Sequence, residues 1–346
     1  MKAPAATHFA LVFAGLLIVA AVFADFLSSN PPAMQNLDQF YLPPSRVHFF
    51  DSTGKGIRGP FIYQMELTDP LNVAYQENQD HSYPLEYFFK GYPYKLFGLI
   101  PLDRHLIGRD QSPRYYPLGT DELGRDVLAR VLAGTRTSLL VVALGMAVYA
   151  VLGLTIGASA GLIGGWMDAL LMRFSEFVLA LPALYLVLAL RALLPLRIPF
   201  WQTLLLTVGT IAAVAWPPMA RGVRGLILQL RNSVHVEAAR SLGGTPMHLF
   251  RHHMLPSLLP YALTQTAVAA PLFLLGEAIL SFLNVGFRDS GESWGSMLRN
   301  LKDLRVITDF WWNLLPLCMV FLTLLCLNIL SSRLGSREPD SQIMRI

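Results

Sequence analysis

The sequence predicts an all-α membrane protein of six spanning helices, with a small β-containing insert after the first. Three observations lead there. Of 346 residues, 53% are hydrophobic and only 14% charged, where a soluble domain carries roughly 25% charged residues; the mean hydropathy is +0.45. Six apolar runs each approach the roughly 17 to 25 residues that a spanning helix needs. These runs are unevenly placed, because no such run occurs between Leu27 and Thr135. The composition excludes a disordered chain. The net charge of +4 is too slight and dispersed for a nucleic-acid partner.

The first run, Phe9–Phe26, reads as a retained helix that completes an even number of spans. Lys2 and the small residues before Asp25 also resemble a cleavable signal, so residues 1–24 carry both readings. The other five runs are Thr137–Leu162, Met167–Leu190, Trp201–Met219, Leu258–Leu283 and Phe310–Leu330. The expected division is a helix over 1–27, an insert over 28–136, a five-helix body over 137–335 with a loop over 221–256, and a tail over 336–346. In that loop Arg221, Arg224, Arg231, Arg240 and Arg251 face one acid, Glu237, and the tail adds Arg333, Arg337 and Arg345. Basic loops stay inside. Both termini and the loop are therefore expected in the cytoplasm and the insert outside. Cys318 and Cys326 have neither metal-ligand nor disulfide-framework spacing and read as buried and reduced.

The insert holds nine of the 12 tyrosines: Tyr41, Tyr63, Tyr75, Tyr83, Tyr87, Tyr92, Tyr94, Tyr115 and Tyr116. Val47–Phe50, the turn residues Asp51–Gly56 and Phe61–Tyr63 read as strand, turn, strand. The aromatics are either the core of a small domain or a docking surface for a partner or substrate.

Within the second span Gly153, Gly157, Gly161 and Gly165 recur at intervals of four. They stack on one helix face and let another helix approach closely. Asp168, Arg173, Glu176 and Glu277 place charge in or near the spans. Such charges are costly in lipid and face partners or water. Arg173 and Glu176, three apart, suit a structural ion pair. Glu277 either lines a path or hydrogen-bonds a neighbouring helix.

Catalytic patterns are missing. Gly119–Asp126 comes nearest to a phosphate loop, but Asp121, Glu122 and Asp126 would repel phosphate. His248, His252 and His253 cluster without a carboxylate at ligand spacing, so no metal site is expected.

The loop is the most informative stretch. Val236–Leu242 favours helix, and Gly243 and Gly244 end it. Thr245 can cap a second short helix with Pro246 at its first position, and Pro256 limits it. Held out by two spans, Met247, Leu249 and Phe250 would form an apolar knob with Arg251 at its rim. An interfacial loop lying in headgroups is the other reading.

Glu237, Ala238, Ala239, Gly243, His253, Leu255 and Pro256 together resemble the EAA loop of bacterial ABC-importer permeases. The general pattern has isoleucine where His253 stands, and the peptide-importer branch commonly has histidine there, as in His253–Pro256 (HMLP). Pro117–Asp126 (PLGTDELGRD), Gly164–Asp168 (GGWMD), Arg173 with Glu176 and Pro182, Glu277–Leu283 (EAILSFL) and Ser293–Leu298 (SWGSML) are similar to the dipeptide, oligopeptide and nickel permeases. The resemblance covers residues 115–335. It departs at Glu176, where the family usually has aspartate, at Ser331 and Ser332, often Gly-Asp, and in its longer insert.

The resemblance implies the permease fold of binding-protein-dependent importers, in its C-type second subunit, in a bacterial inner membrane. It implies a heterodimer with a second permease, two cytoplasmic ATP-binding subunits that hold ATP and magnesium, and a periplasmic substrate-binding protein; no cofactor is expected in this chain and no enzyme activity. The cargo would be di- or oligopeptides, with nickel or another small cargo as the alternative. Glu237, Ala238, Ala239 and Gly243 would shape the ATPase-coupling loop. Thr245, Pro246, Met247, Leu249 and Phe250 would be the inserted knob, with Leu255 and Pro256 completing the motif. An ion-coupled secondary transporter would instead need inverted repeats, and none is visible.

Overall fold

The computed structural model describes residues 5–50, 57–96, 98–193, 198–287 and 291–335. Helix α1 (Ala5–Val22) is followed by the single turn α2 (Ala24–Leu27). Seven strands come next: β1 (His48–Phe50), β2 (Ile57–Asp69), β3 (Ala74–Pro84), β4 (Glu86–Tyr87), β5 (Lys90–Leu96), β6 (Ile100–Arg104) and β7 (Ile107–Gly108). The helical body contains α3 (Val127–Ile163), α4 (Gly165–Ala180), α5 (Ala183–Ala192), α6 (Phe200–Ala215), α7 (Pro217–Arg231), α8 (Val234–Ser241), α9 (Pro246–Leu249) and α10 (Leu255–Phe282). Short helices α11 (Trp294–Met297) and α12 (Leu304–Asp309) precede α13 (Leu315–Gly335).

Four stretches are long and apolar enough to cross a membrane: Ala5–Val22, Val127–Ile163, Pro246–Phe282 and Trp311–Gly335. The expected third and fourth spans are each bent pairs instead, α4 with α5 at 96° and α6 with α7 at 51°. Proline causes both breaks. Leu181 and Pro182 are extended, as a residue before proline prefers. Pro217 and Pro218 open α7, where an absent N–H is tolerated and the preceding ladder stops. Helix α3 begins well before Thr137, because its first turns carry Arg130, Thr135 and Arg136 and therefore escape a hydropathy criterion.

The chain divides into two compact units: Met1–Val12 with Leu140–Leu280 and Thr323–Ile346, and Phe13–Leu139 with Ser281–Leu322. In the second unit β1, β2 and β3 form an antiparallel sheet, with Tyr63 opposite Ser82 and Leu67 opposite Tyr75. The expected strands lie within it, the first from His48 rather than Val47 and the second as part of β2, and their connecting turn falls outside the described residues. Ile62, Leu85 and Tyr115 form a small core. Tyr63, Tyr94, Tyr115 and Tyr116 are buried, and Tyr87 is exposed. A second core joins Val127 and Val131 of α3 to Met297, Val306, Phe310 and Trp312. Tyr41 stacks on Phe310 there, with ring centroids 4.2 Å apart.

In the first unit α3 packs on α7 through glycines. A Cβ on Gly153 would fall on Met219, on Gly157 it would lie 2.4 Å from the Ala220 carbonyl oxygen, and on Gly161 2.8 Å from Ile227. Gly165 does not belong to this contact. Helix α3 ends at Ile163, Gly164 and Gly165 turn the chain at positive φ, and nothing lies within 4 Å of a Cβ at Gly165. The four-residue spacing runs one step past the helix that gives it meaning. Gly157→Val is expected to cost about 1–3 kcal/mol by overpacking, measured as a lower thermal midpoint of the detergent-solubilised protein. Gly165→Ala costs about 1–2 kcal/mol, from its left-handed backbone alone. Cys326 is buried as expected, but Cys318 is exposed on α13.

Candidate functional site

The loop between α7 and α10 is a helix, a tight turn and a helix that does not stop. Helix α8 ends in a Schellman motif. Gly243 N–H donates to the Arg240 carbonyl at 3.0 Å and Gly244 N–H to the Ala239 carbonyl at 3.1 Å. Gly243 sits at φ +87°, the left-handed region that glycine enters without strain. Thr245 then caps α9, its hydroxyl accepting from His248 N–H at 3.3 Å, with Pro246 in the first turn.

Pro256 was expected to end this second helix. Instead a π turn over Phe250–Met254 joins α9 to α10, so the helix runs from Pro246 to Phe282. The wide turn loosens the ladder just where the Pro256 ring would meet the carbonyl four residues before.

The apolar knob also differs. Met247 is 59% exposed, but Leu249 is 4% exposed and points into the protein. Leu242, 90% exposed at the end of α8, supplies the outward apolar side chain that the helix pattern gave no reason to single out. Glu237 and Ala238 are exposed and Ala239 is half-buried. The His248 and His252 rings stack with centroids 4.3 Å apart. Among the described residues no group of three or more potential ligands could hold a metal ion.

The charges in the helical body fall into three situations. Arg173 Nη1 lies 3.0 Å from Glu176 Oε2, with both side chains exposed on the isolated chain. Arg224 of α7 grips Asp168 of α4 with two hydrogen bonds, Nε to Oδ1 at 2.5 Å and Nη2 to Oδ2 at 2.6 Å. This parallel fork joins two helices whose pairing leaves no pattern in the sequence. Glu277 is fully buried.

A larger polar cluster lies in the second unit. The Asp121 carboxylate accepts from the backbone N–H groups of Leu123 and Arg125, each at 2.9 Å, from Arg125 Nε at 2.8 Å, and from Arg130 Nη1. Arg130 also donates through Nε to Glu292 at 2.9 Å. Asp121 and Arg130 are each 1% exposed. Trp294, fully buried beside them, donates its ring N–H to the Val131 carbonyl at 3.1 Å. Trp312 donates to the Thr120 carbonyl at 2.9 Å. The segments Pro117–Asp126 and Ser293–Leu298, far apart in sequence, therefore pack together. Gly124 is required here, because at φ +67° its Cβ would lie 1.8 Å from the Asn36 carbonyl oxygen. Asp121 and Asp126 stand out in the sequence as repelling phosphate. Their actual work is to hold the turn and start α3.

Asp126 caps α3, accepting from Leu128 N–H at 2.9 Å and Ala129 N–H at 3.2 Å, and accepts from Asn30 Nδ2 at 2.8 Å. Burial outweighs these donors and pushes its pKa up to about 6. With the folded value above the unfolded one, this carboxyl favours folding in its protonated form. Its contribution is full below about pH 4 and is lost as the pH rises through 6. The stability of the protein relative to Asp126→Asn is expected to fall between pH 4 and 7 and to level off above, as read from paired thermal-unfolding curves.

Apolar helices of spanning length, with an exposed capped turn between two of them, define a multi-pass membrane component. Residues 153–337 match the family described as binding-protein-dependent transport system inner membrane component. The chain belongs to that family and is a transport permease subunit. It is 35% identical over 289 residues to a protein of Brucella suis biovar 1 described as a peptide permease, covering 82% of this chain and 87% of that one. It is 34% identical to the oligopeptide transport system permease protein OppC of Haemophilus influenzae, over 64% of this chain and 68% of that one. With the dipeptide transport system permease protein DppC of Bacillus subtilis it shares 32% identity, over 62% and 66%. Among solved structures, a chain of the inward-facing MetNI methionine ABC transporter aligns with TM-score 0.44 and 17% identity, over 60% of this chain and 96% of that one.

Proposed function

We propose that this chain is one of the two membrane subunits of an ATP-driven importer of di- or oligopeptides, and that the turn from Glu237 to Phe250 docks on a separate ATP-hydrolysing subunit. The observation that carries this reading is the Schellman turn at Gly243 followed by the Thr245 cap, which presents Leu242 and Met247 outward from the end of a spanning helix. The names of its relatives support a peptide cargo. ATP and magnesium belong to the partner subunits, and cargo arrives from a separate binding protein. In this reading the helices make six spans, each bent pair counting as one, with both termini and the turn in the cytoplasm. The sheet of the insert over residues 28–136 and the cluster of Asp121, Arg130 and Glu292 then lie outside, as a platform for the binding protein.

The test is uptake by proteoliposomes containing the purified assembly, its binding protein and ATP inside. Labelled di- and tripeptides are expected to accumulate against a gradient, and a nickel chelate is not. ATP-independent uptake, or uptake of nickel alone, overturns the reading.

A further inference from the structure

Beside the loop lies a groove with two compartments. The first, about 430 Å³, is lined by Leu154, Ala158 and Leu162 of α3 on one side and by Met247, Phe250 and Leu255 on the other. Spaced by four, the α3 residues form a single apolar strip about 12 Å long. The second, about 480 Å³, shares Leu162, Met247 and Phe250 with the first and adds Arg231 and Arg240. Each has the volume of a small-molecule site.

The two compartments differ in chemistry along the helix. Leu162 lies one residue from the end of α3, next to the chain turn at Gly164, and Leu154 lies about two turns deeper in the apolar stretch. The apolar part therefore runs toward the hydrocarbon and the basic part sits at its polar edge. Arg231 donates one bond, from Nη1 to the Gly161 carbonyl at 3.1 Å, which fixes the guanidinium at the rim and leaves its other donors available. Among the described residues neither Arg231 nor Arg240 forms an ion pair with a carboxylate. Two arginines beside an apolar slot match an amphiphile carrying a phosphate. Basic pockets between membrane helices on the cytoplasmic side recognise anionic lipid headgroups in this way.

We propose that this groove binds one anionic phospholipid of the inner leaflet, its phosphate between Arg231 and Arg240 and one acyl chain along Leu154, Ala158 and Leu162. The choice of leaflet rests on the orientation given under Proposed function; the binding itself does not depend on transport.

The experiment is native mass spectrometry of the intact assembly after exchange into equimolar phosphatidylglycerol and phosphatidylcholine. Retention of one phosphatidylglycerol, at least tenfold over phosphatidylcholine, is expected. Arg231→Gln with Arg240→Gln should bring that ratio to about one. If the double variant does not fold, Arg240→Gln alone, an exposed position, should lower the ratio at least threefold, and Arg240→Lys should retain most of it. Equal retention of the two lipids, or an unchanged ratio in the glutamine variants, overturns the proposal. Displacement by millimolar sn-glycerol 3-phosphate also overturns it, in favour of a soluble anion. So does stoichiometric cross-linking of Leu162→Cys to another subunit, in favour of a protein occupant. None of these outcomes depends on peptide uptake, so failure here and failure of the importer reading are separately visible.

Discussion

Replacing Gly243 with proline is expected to abolish peptide uptake while the chain still accumulates in the membrane. Proline fixes φ near −65°, and Gly243 sits at +87°. The substitution also removes the N–H that donates to the Arg240 carbonyl. The Schellman turn cannot form, so α8 and α9 no longer meet at the angle that presents Leu242 and Met247. Because Gly243 is exposed and nothing lies within 4 Å of a Cβ there, the substitution meets no packed neighbour. Hydrolysis of ATP by the assembly should continue, with uptake reduced at least tenfold. Gly243→Ala keeps the N–H and carries a left-handed penalty of about 1–2 kcal/mol, so it should be milder. Glu237→Lys, on the exposed face of α8, tests the docking surface without touching the turn and should uncouple as well. Normal uptake by both Gly243→Pro and Glu237→Lys would show that this loop does not transmit the work.

The largest expected loss of stability follows Asp121→Ala. The substitution removes the acceptor for two backbone N–H groups and two arginines. It leaves Arg130 buried with Glu292 as its remaining carboxylate partner. Breaking a buried ion pair from one side costs about 3–5 kcal/mol, because the other charge stays out of water. The protein should melt far earlier, and the folded yield should drop. Glu292→Gln keeps an acceptor for Arg130 and should cost clearly less. If the two variants melt alike and within about 1 kcal/mol of the parent, the cluster does not hold this unit together.

The sequence carried some of this plainly and some of it not at all. Four of the six apolar runs marked helices long enough to cross a membrane, because twenty consecutive apolar residues have few other uses. They could not mark where helices bend: Pro182, Pro217 and Pro218 were visible, but the 96° and 51° angles depend on what packs around them. The turn at Gly243 and the cap at Thr245 were legible because both rest on local backbone chemistry. The outward role of Leu242 and the inward one of Leu249 were not, since a short helix can be rotated by its neighbours. The ion cluster was hidden for a different reason. Asp121 and Arg130 stand nine residues apart, but Glu292 lies 162 residues from Arg130, and long-range pairing leaves no periodic trace in one chain. Gly165 gives the converse case, a spacing that continued after the helix had stopped.

The unbroken path from Pro246 to Phe282 has a mechanical consequence. Its 37 residues make a rod of about 55 Å. With no loop between the turn and the span, a push on the turn passes directly into the rod. Beyond the loosened turn before Pro256, compliance is concentrated at Pro260 and Pro271, where the missing N–H groups free the carbonyls of Pro256 and Ala267. A lever with two soft spots converts an axial push at one end into a sideways swing beyond them. Stiffening Pro260 or Pro271 to alanine should therefore alter how far the part of this helix beyond them travels, with the turn itself unchanged.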